Sequence, residues 1–493
     1  MAPHALSRPD RSARAVPSRA LAATRLSEPA IRARGWGWRH PGRKAWALRG
    51  LDLTIEEGER VLLIGASGAG KSTLLQALAG LLDRSGAADE EGELSVRGDA
   101  GLVLQDPETQ LVMARSGDDV AFGLENRCVP TDEIWPRVHR ALADVEFPYS
   151  EDHATAALSG GEKQRLAIAG ILALRPRVLL LDEPTANLDP DGARAVREVI
   201  ARVAERREVT MVMVEHRIAD ALPLVDRVIV IEAGGGVVAD GPPRAVFARE
   251  DERLKALGVW VPGAAPAAPP RRTTPGGKAI VARDLTYLYP RGAAPALDGI
   301  SATVRHGSAL AITGPNGSGK STLALLLAGL LRPRGGEVRA FGDEPSRLRP
   351  RALVRRIGTV FQDPEHQLVA ARVDDELRVG PRAIGVAAGE IEQRVRELLE
   401  RLDLSKVAAA NPFTLSGGEK RRLSVGTALA TSPGALVLDE PTFGQDRRTF
   451  AELLTLLGEY RDGGGAIAFA SHDELFVDAF ADERLRLVGG RAA

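Results

Sequence analysis

Gly65-Ala66-Ser67-Gly68-Ala69-Gly70-Lys71-Ser72, followed by Thr73, carries the strongest chemical signal in the chain. The stretch fits G-x-x-x-x-G-K-[ST]. Its glycines let successive backbone N–H groups turn inward around phosphate oxygens, and a following helix adds the partial positive charge of its N-terminus. Lys71 is placed to reach the β- and γ-phosphates of a nucleotide, and the Ser72 hydroxyl to ligate Mg²⁺. The flanks agree. Val61-Leu62-Leu63-Ile64 reads as a buried strand, and Leu74, Leu75, Leu78 and Leu81 fall on one helical face.

These elements occur twice. Gly314-Pro315-Asn316-Gly317-Ser318-Gly319-Lys320-Ser321-Thr322 follows an apolar strand, Ala309 to Ile312. Downstream, Gln105 (in Gln105-Asp106-Pro107-Glu108) precedes Ser159 (in Leu158-Ser159-Gly160-Gly161-Glu162) by 54 residues, and Gln362 precedes Ser416 (in Leu415-Ser416-Gly417-Gly418-Glu419) by 54. From that Ser to the Glu of an Asp-Glu strand end, Asp182-Glu183 or Asp439-Glu440, is 24 residues in both copies. The next strand ends near His216 or His472, 33 and 32 residues on. Only the Lys-to-Gln interval differs, 34 against 42, and a surface insertion around Phe341 to Arg351 accounts for it. A repeat this long means two copies of one domain, not a solenoid. The expected boundaries are 1–28, a basic leader; 29–257, the first domain; 258–278, a Pro/Ala-rich linker; and 279–493, the second domain.

Composition narrows the class. The chain has 493 residues, enough for two cores of ordinary size. Lys plus Arg (65) nearly cancels Asp plus Glu (66), which argues against coating nucleic acid through bulk charge. The single cysteine, Cys128, excludes a disulfide framework and Cys-rich metal sites. No run of 18 apolar residues occurs. The leader is rich in Ala, Arg, Pro and Ser and poor in acids, which fits a disordered tail better than a targeting peptide.

Phosphate loop, Q-loop, LSGGE, Asp-Glu strand end and switch histidine, in that order and twice, resemble the ATP-binding subunit of ABC transporters. The QDPExQ form, Gln105 to Gln110 and Gln362 to Gln367, is similar to the energy-coupling-factor (ECF) subgroup, as is Asp119-Val120-Ala121-Phe122-Gly123-Leu124-Glu125-Asn126. The resemblance implies an α/β fold: two tandem P-loop NTPase domains, each with an antiparallel β subdomain and a helical subdomain carrying LSGGE. It implies ATP and Mg²⁺ as ligands and a head-to-tail pseudo-dimer. Each nucleotide would lie between one copy's phosphate loop and Ser159-Gly160-Gly161 or Ser416-Gly417-Gly418 of the other, since a serine and glycines opening a helix make a second anion site. It also implies a separate transmembrane coupling subunit, a substrate-binding membrane subunit, and a place at the cytoplasmic face of the membrane.

Residue by residue, Asp182 and Asp439 end parallel strands where a carboxylate can hold the Mg²⁺ hydration shell. Together with Ser72, Ser321, Gln105 and Gln362 they form the implied metal set. Glu183 and Glu440 would polarise the attacking water, and His216 and His472 would contact the γ-phosphate. Tyr289 matches the family's adenine-stacking aromatic, whereas the first copy has His40. The loop after Glu440, Phe443-Gly444-Gln445-Asp446, departs from Ala186-Asn187-Leu188-Asp189. Both departures fall on the site built from Lys71, Glu183, His216 and Ser416, which is expected to be the slower one. Gln110-Leu111-Val112 and Gln367-Leu368-Val369, rimmed by Asp118-Asp119 and Asp374-Asp375, are expected to line the groove for the membrane partner's helices. The substrate expected is a vitamin, such as thiamine or its hydroxymethylpyrimidine precursor, or a metal ion such as cobalt. A soluble twin-ABC ATPase acting on ribosomes or nucleic acid is the alternative, although the linker here is short and Pro-rich rather than long, charged and helical.

Overall fold

Apolar patterning sorts the strands into two kinds. Val178–Asp182, Thr210–Val214, Ala435–Asp439 and Ala466–Ala470 are buried at every position, as strands covered on both faces must be. Leu48–Ile55 instead alternates buried and exposed residues, the mark of a sheet with one wet face. The computed structural model describes residues 28–84, 88–186, 188–215, 217–263, 274–290, 294–442 and 446–493. The leader up to residue 27, residues 264–273 of the expected linker, Asn187, His216 and the Phe443-Gly444-Gln445 stretch lie outside the described residues.

Each copy has a six-stranded core sheet. In the first the order is Ala100–Val103, Val178–Asp182, Thr210–Val214, Arg60–Ile64, Arg227–Ile231, Val237–Gly241. In the second it is Ile357–Val360, Ala435–Asp439, Ala466–Ala470, Ala309–Thr313, Glu483–Val488, Arg491–Ala492. All neighbours are parallel except the last pair of each sheet. The phosphate-loop strand is therefore central, with the histidine strand and then the Asp-Glu strand beside it. Their carboxyl ends share one edge, where ligands bind in open α/β sheets. A three-stranded antiparallel sheet accompanies each core, centred on Ile31–Arg39 or Lys278–Tyr287. Three helices form each helical subdomain: Ser116–Asn126, Thr131–Asp144 and Gly160–Ala173, then Val373–Ile384, Ala388–Arg401 and Gly417–Ala430.

Two local expectations change. The helix after the first phosphate loop stops at Leu78, and Leu81 lies beyond Gly80 (φ 71°), which ends the helix with a left-handed turn and leaves Leu81 exposed. The extra residues of the second copy form a turn at Gly342, a short 3₁₀ segment Pro345–Arg347 and the helix Pro350–Arg356.

The segment after the helix Pro243–Ala256 joins the copies. Val259 and Val261 are buried in the first core, while the Trp260 ring meets Phe450 of the second copy edge-on at 5.1 Å between centroids. The Gly258 carbonyl accepts the Arg447 N–H at 2.9 Å. No helix among the described residues is long and apolar enough to cross a membrane.

Candidate nucleotide sites

The strand Arg60–Ile64 delivers the chain into the first loop and the helix Lys71–Leu78 receives it. Ala309–Thr313 and Lys320–Leu327 do the same in the second copy. The turn into each helix needs glycine. Gly70 and Gly319 have φ of 89° and 100°, and a Cβ there would lie 2.8 Å from the Ala47 carbonyl or 2.5 Å from that of Ala296. Each lysine curls back over its loop. Lys71 Nζ donates to the Gly65 and Ala66 carbonyls at 2.9 Å, and Lys320 Nζ to those of Gly314 and Pro315 at 2.9 and 3.0 Å. Burial lowers the Lys71 pKa, opposed by the nearby Glu183, Asp182 and Asp446 charges.

Glu183 and Glu440 follow their strands with φ of 49°, a left-handed conformation uncommon for a long side chain. Identical backbone geometry at both copies marks a built feature, and functional sites are where such strain collects. The backbone is pinned: Glu183 N–H donates to the Val214 carbonyl at 3.0 Å and Glu440 N–H to that of Ala470 at 2.9 Å. Gln105 Nε2 donates to Glu183 Oε2 at 2.9 Å. Glu440 meets His472 Nδ1 at 2.7 Å and accepts the His472 N–H and the Ser471 hydroxyl, both at 3.1 Å. Burial disfavours the imidazolium of His472, but the hydrogen bond and charge of Glu440 outweigh it and raise its pKa.

Burial pushes the Asp439 carboxyl up to about 6, with a hydrogen bond from Ser321 opposing and the Glu440 charge adding to the rise. Burial outweighs the nearby Lys320 and Arg421 charges, which favour the carboxylate. The pairing of hydroxyl and carboxylate at the phosphate loop is the oxygen donor set a hard divalent ion takes alongside phosphates and water. The residues therefore fit Mg²⁺ held jointly with a nucleotide. Among the described residues no cluster of three or more His, Cys, Asp or Glu could bind a metal alone.

Ser159 and Ser416 open the helices Gly160–Ala173 and Gly417–Ala430 as N-caps, each with a capping box closed by Glu162 or Glu419. The two copies meet across the phosphate loops. Asp446 caps the helix Arg447–Asp462 through Thr449 N–H (2.8 Å) and accepts Ser67 N–H from the other copy at 3.1 Å. Asp189 caps Pro190–Glu205 through Gly192 N–H (2.7 Å) and accepts Asn316 N–H at 3.1 Å. Arg43 also crosses, donating to the Thr414 carbonyl at 3.0 Å beside Ser416.

A continuous cavity of about 2240 Å³ runs along this seam. Ordinary small-molecule sites measure about 300–1,000 Å³, so it is large enough for two nucleotides. Its walls include Ser67, Gly68, Lys71 to Thr73, His40, Gln105 and Glu183 of the first copy. From the second come Asn316, Gly317, Lys320 to Thr322, Tyr289, Gln362, Asp439, Glu440 and His472. Gly160, Ser416, Gly417 and Gly418 also line it. Gly65, Ala69, Gly161, Gly314, Pro315, Ser318, Ser159 and Asp182 do not; Ala69 and Ser318 are buried behind their loops. His40 occupies the position of Tyr289 and repeats its contact: His40 Nε2 lies 3.0 Å from Thr73 Oγ1, and the Tyr289 phenolic Oη 3.1 Å from Thr322 Oγ1.

The expected docking groove is altered. Leu368 is buried in the second core and Leu111 is partly buried against the first, whereas Val112 and Val369 are the exposed members, at 63% and 74%. The acids are committed internally. Asp119 accepts the Val112 and Met113 N–H groups, and Asp374 pairs with Arg372 and Arg378. Substituting Leu368 would test folding, not docking. The sequence reading also passed over Arg43 and Arg421. Nothing in spacing marks Arg43; Arg421 was detectable as a mismatch with Gln164, its counterpart after the first LSGGE.

The family described as ABC transporter matches residues 48–186 and 297–443, one span in each copy. "Putative HMP/thiamine import ATP-binding protein YkoD" of Bacillus subtilis (strain 168) is 34% identical over 475 residues, covering 89% of this chain and 86% of its own. "Putative ABC transporter ATP-binding protein TTE1589" of Caldanaerobacter subterraneus is 34% identical over 488 residues, covering 88% and 85%. Two matched repeats, two P-loop cores and full-length relatives agree: the chain belongs to the ABC transporter ATP-binding proteins, with two ATPase domains fused in tandem.

Proposed function

We propose that this ATPase drives an ECF-type importer from the cytoplasmic face of the membrane, hydrolysing Mg·ATP at two composite head-to-tail sites. The observation that carries the composite arrangement is the reciprocal pair of contacts, Asp446 to Ser67 and Asp189 to Asn316. Each places one copy's loop against the other copy's phosphate cradle. In this reading the loop N–H groups and Lys71 or Lys320 hold the β- and γ-phosphates. Ser72, Asp182 and Gln105, and Ser321, Asp439 and Gln362, would hold Mg²⁺, which when bound neutralises developing phosphate charge. Glu183 and Glu440 orient the attacking water and accept its proton, and His472, with His216 in the first copy, faces the γ-phosphate. Ser159 and Ser416 close each site from the opposite copy. Fusion makes that closure intramolecular and raises its effective concentration. The site built on Lys71 is the slower of the two.

The likeness to an HMP/thiamine import relative supports a thiamine-related cargo, recognised by a separate membrane subunit. Co-purification from membranes with the full chain as bait tests the reading. Recovery of a transmembrane coupling subunit and a small substrate-binding membrane protein is expected. Recovery of ribosomes without membrane subunits would replace it with a soluble twin-ABC function.

A further inference from the structure

The helix that opens at Ser416 serves the first nucleotide site, while the loop holding Gln362 serves the second. Both belong to the second copy, and they are joined far more tightly than their counterparts. Lys420 pairs with Glu365 at 2.5 Å, matched in the first copy by Lys163 and Glu108, also 2.5 Å. Beyond that pair the copies diverge. Arg421, only 3% exposed, donates Nη1 to the Phe361 carbonyl at 2.7 Å and Nη2 to the Gln362 carbonyl. Gln164 in its place makes one neutral bond, to the Leu104 carbonyl at 3.3 Å. Gln367 is bound to the helix as well. Ser424 Oγ donates to Gln367 Oε1 at 2.7 Å, and Gln367 Nε2 donates to the Ser424 carbonyl at 2.9 Å and to Thr427 Oγ1. The matching Gln110 turns back on its own strand, to Leu102 and Leu104, because Ala167 replaces Ser424.

Hydrogen bonds from a charged donor are about twice as strong as neutral ones, and a buried guanidinium that lost these carbonyls would keep only the through-space attraction of Glu440, Asp439 and Asp363 and leave its N–H groups unmet at a cost. The loop of Gln362 must therefore follow the helix of Ser416. We propose that Arg421, with Ser424 and Gln367, is a latch between the two ATP sites. Engagement of Ser416 by nucleotide at the first site shifts the helix, and the latch repositions Gln362 at the second. The first copy, with the Lys163–Glu108 pair and one long neutral bond, transmits less in the other direction. Arg421 is a positioning residue, and the inference rests on the composite-site reading above.

The test is a mutant cycle on the full chain. Lys71→Met disables the first cradle and leaves the second site to turn over. In the wild-type background it should cut the remaining rate by roughly tenfold, within the usual range of inter-site coupling. In Arg421→Gln/Ser424→Ala, which copies the first copy's residues, the same substitution should cost less than about threefold. Lys320→Met, read at the first site, should cost the same in both backgrounds. An undiminished Lys71→Met penalty in the unlatched protein overturns the latch. Should the double variant melt early, Ser424→Ala and Arg421→Lys replace it. Neither changes net charge, and a penalty equal to wild type in both overturns the proposal. The composite-site reading fails on a different result, undiminished hydrolysis in Ser159→Arg/Ser416→Arg, which leaves both phosphate loops intact and blocks only the closing face from the opposite copy.

Discussion

The two nucleotide sites share the backbone turn at their carboxylates and differ in the side chains set around it. Glu183 and Glu440 have the same φ of 49° and the same strand-to-strand anchor. Among the described residues Gln105 donates to Glu183, and Glu440 accepts from Ser471, where the first copy has Glu215. At the base end, His40 keeps the hydrogen bond that Tyr289 makes while presenting a smaller aromatic face. The two copies thus keep one frame, which many contacts fix together, while side chains lining the cavity differ between them.

The largest expected effect removes the comparison altogether. Glu183→Gln with Glu440→Gln should lower turnover by about 10²–10⁴-fold, the usual contribution of a general base, while Mg·ATP binding persists in equilibrium titration. Steady-state hydrolysis close to wild type would refute the assignment of both carboxylates.

Gly319→Ala attacks one cradle only. Its Cβ would sit 2.5 Å from the Ala296 carbonyl at φ 100°, so the second site should lose nucleotide binding and the fold about 1–3 kcal/mol. Thermal unfolding with and without Mg·ATP reads both. The milder approach at Gly70, 2.8 Å, should cost less; equal or greater loss there would contradict the ranking.

The single carboxylate variants sharpen the asymmetry. Glu440→Gln should reduce the rate of the assembled transporter by roughly fivefold or more and Glu183→Gln by about twofold, read as differences in transition-state stabilisation. The reverse order would make the Lys71 site the faster one. The smallest effect is expected of His40→Tyr. A full phenol ring should tighten ATP at the first site by about two- to tenfold, the measured worth of an aromatic contact being about 0.5–1.5 kcal/mol. Titration in the Glu183→Gln/Glu440→Gln background checks it, and unchanged affinity would show that His40 does not contact the base.

Much of this was legible beforehand, for identifiable reasons. Phosphate loops and Asp-Glu strand ends are local: glycine φ, a buried strand and one lysine specify them within a dozen residues. The six-strand order was not, since pairing of strands far apart in sequence leaves no local trace. Leu81 and Leu368 misled for opposite reasons. Helical periodicity carried past the Gly80 stop made Leu81 look like core, while proximity to a functional glutamine made Leu368 look like surface. Arg43 could not be found at all, because its partner carbonyl belongs to a residue 371 positions away.

Trp260 gives the fused chain a mechanical character that two separate subunits would lack. Its ring bears on Phe450, one turn into the helix that Asp446 caps, and a small void beside it is walled by Gly65, Lys71 and Asp446. Gly258 is bonded to Arg447 at the same place. Were the halves to part about this contact, the jaw near Lys71 would travel the shorter arc and the jaw near Lys320 the longer, and product would leave the far jaw first.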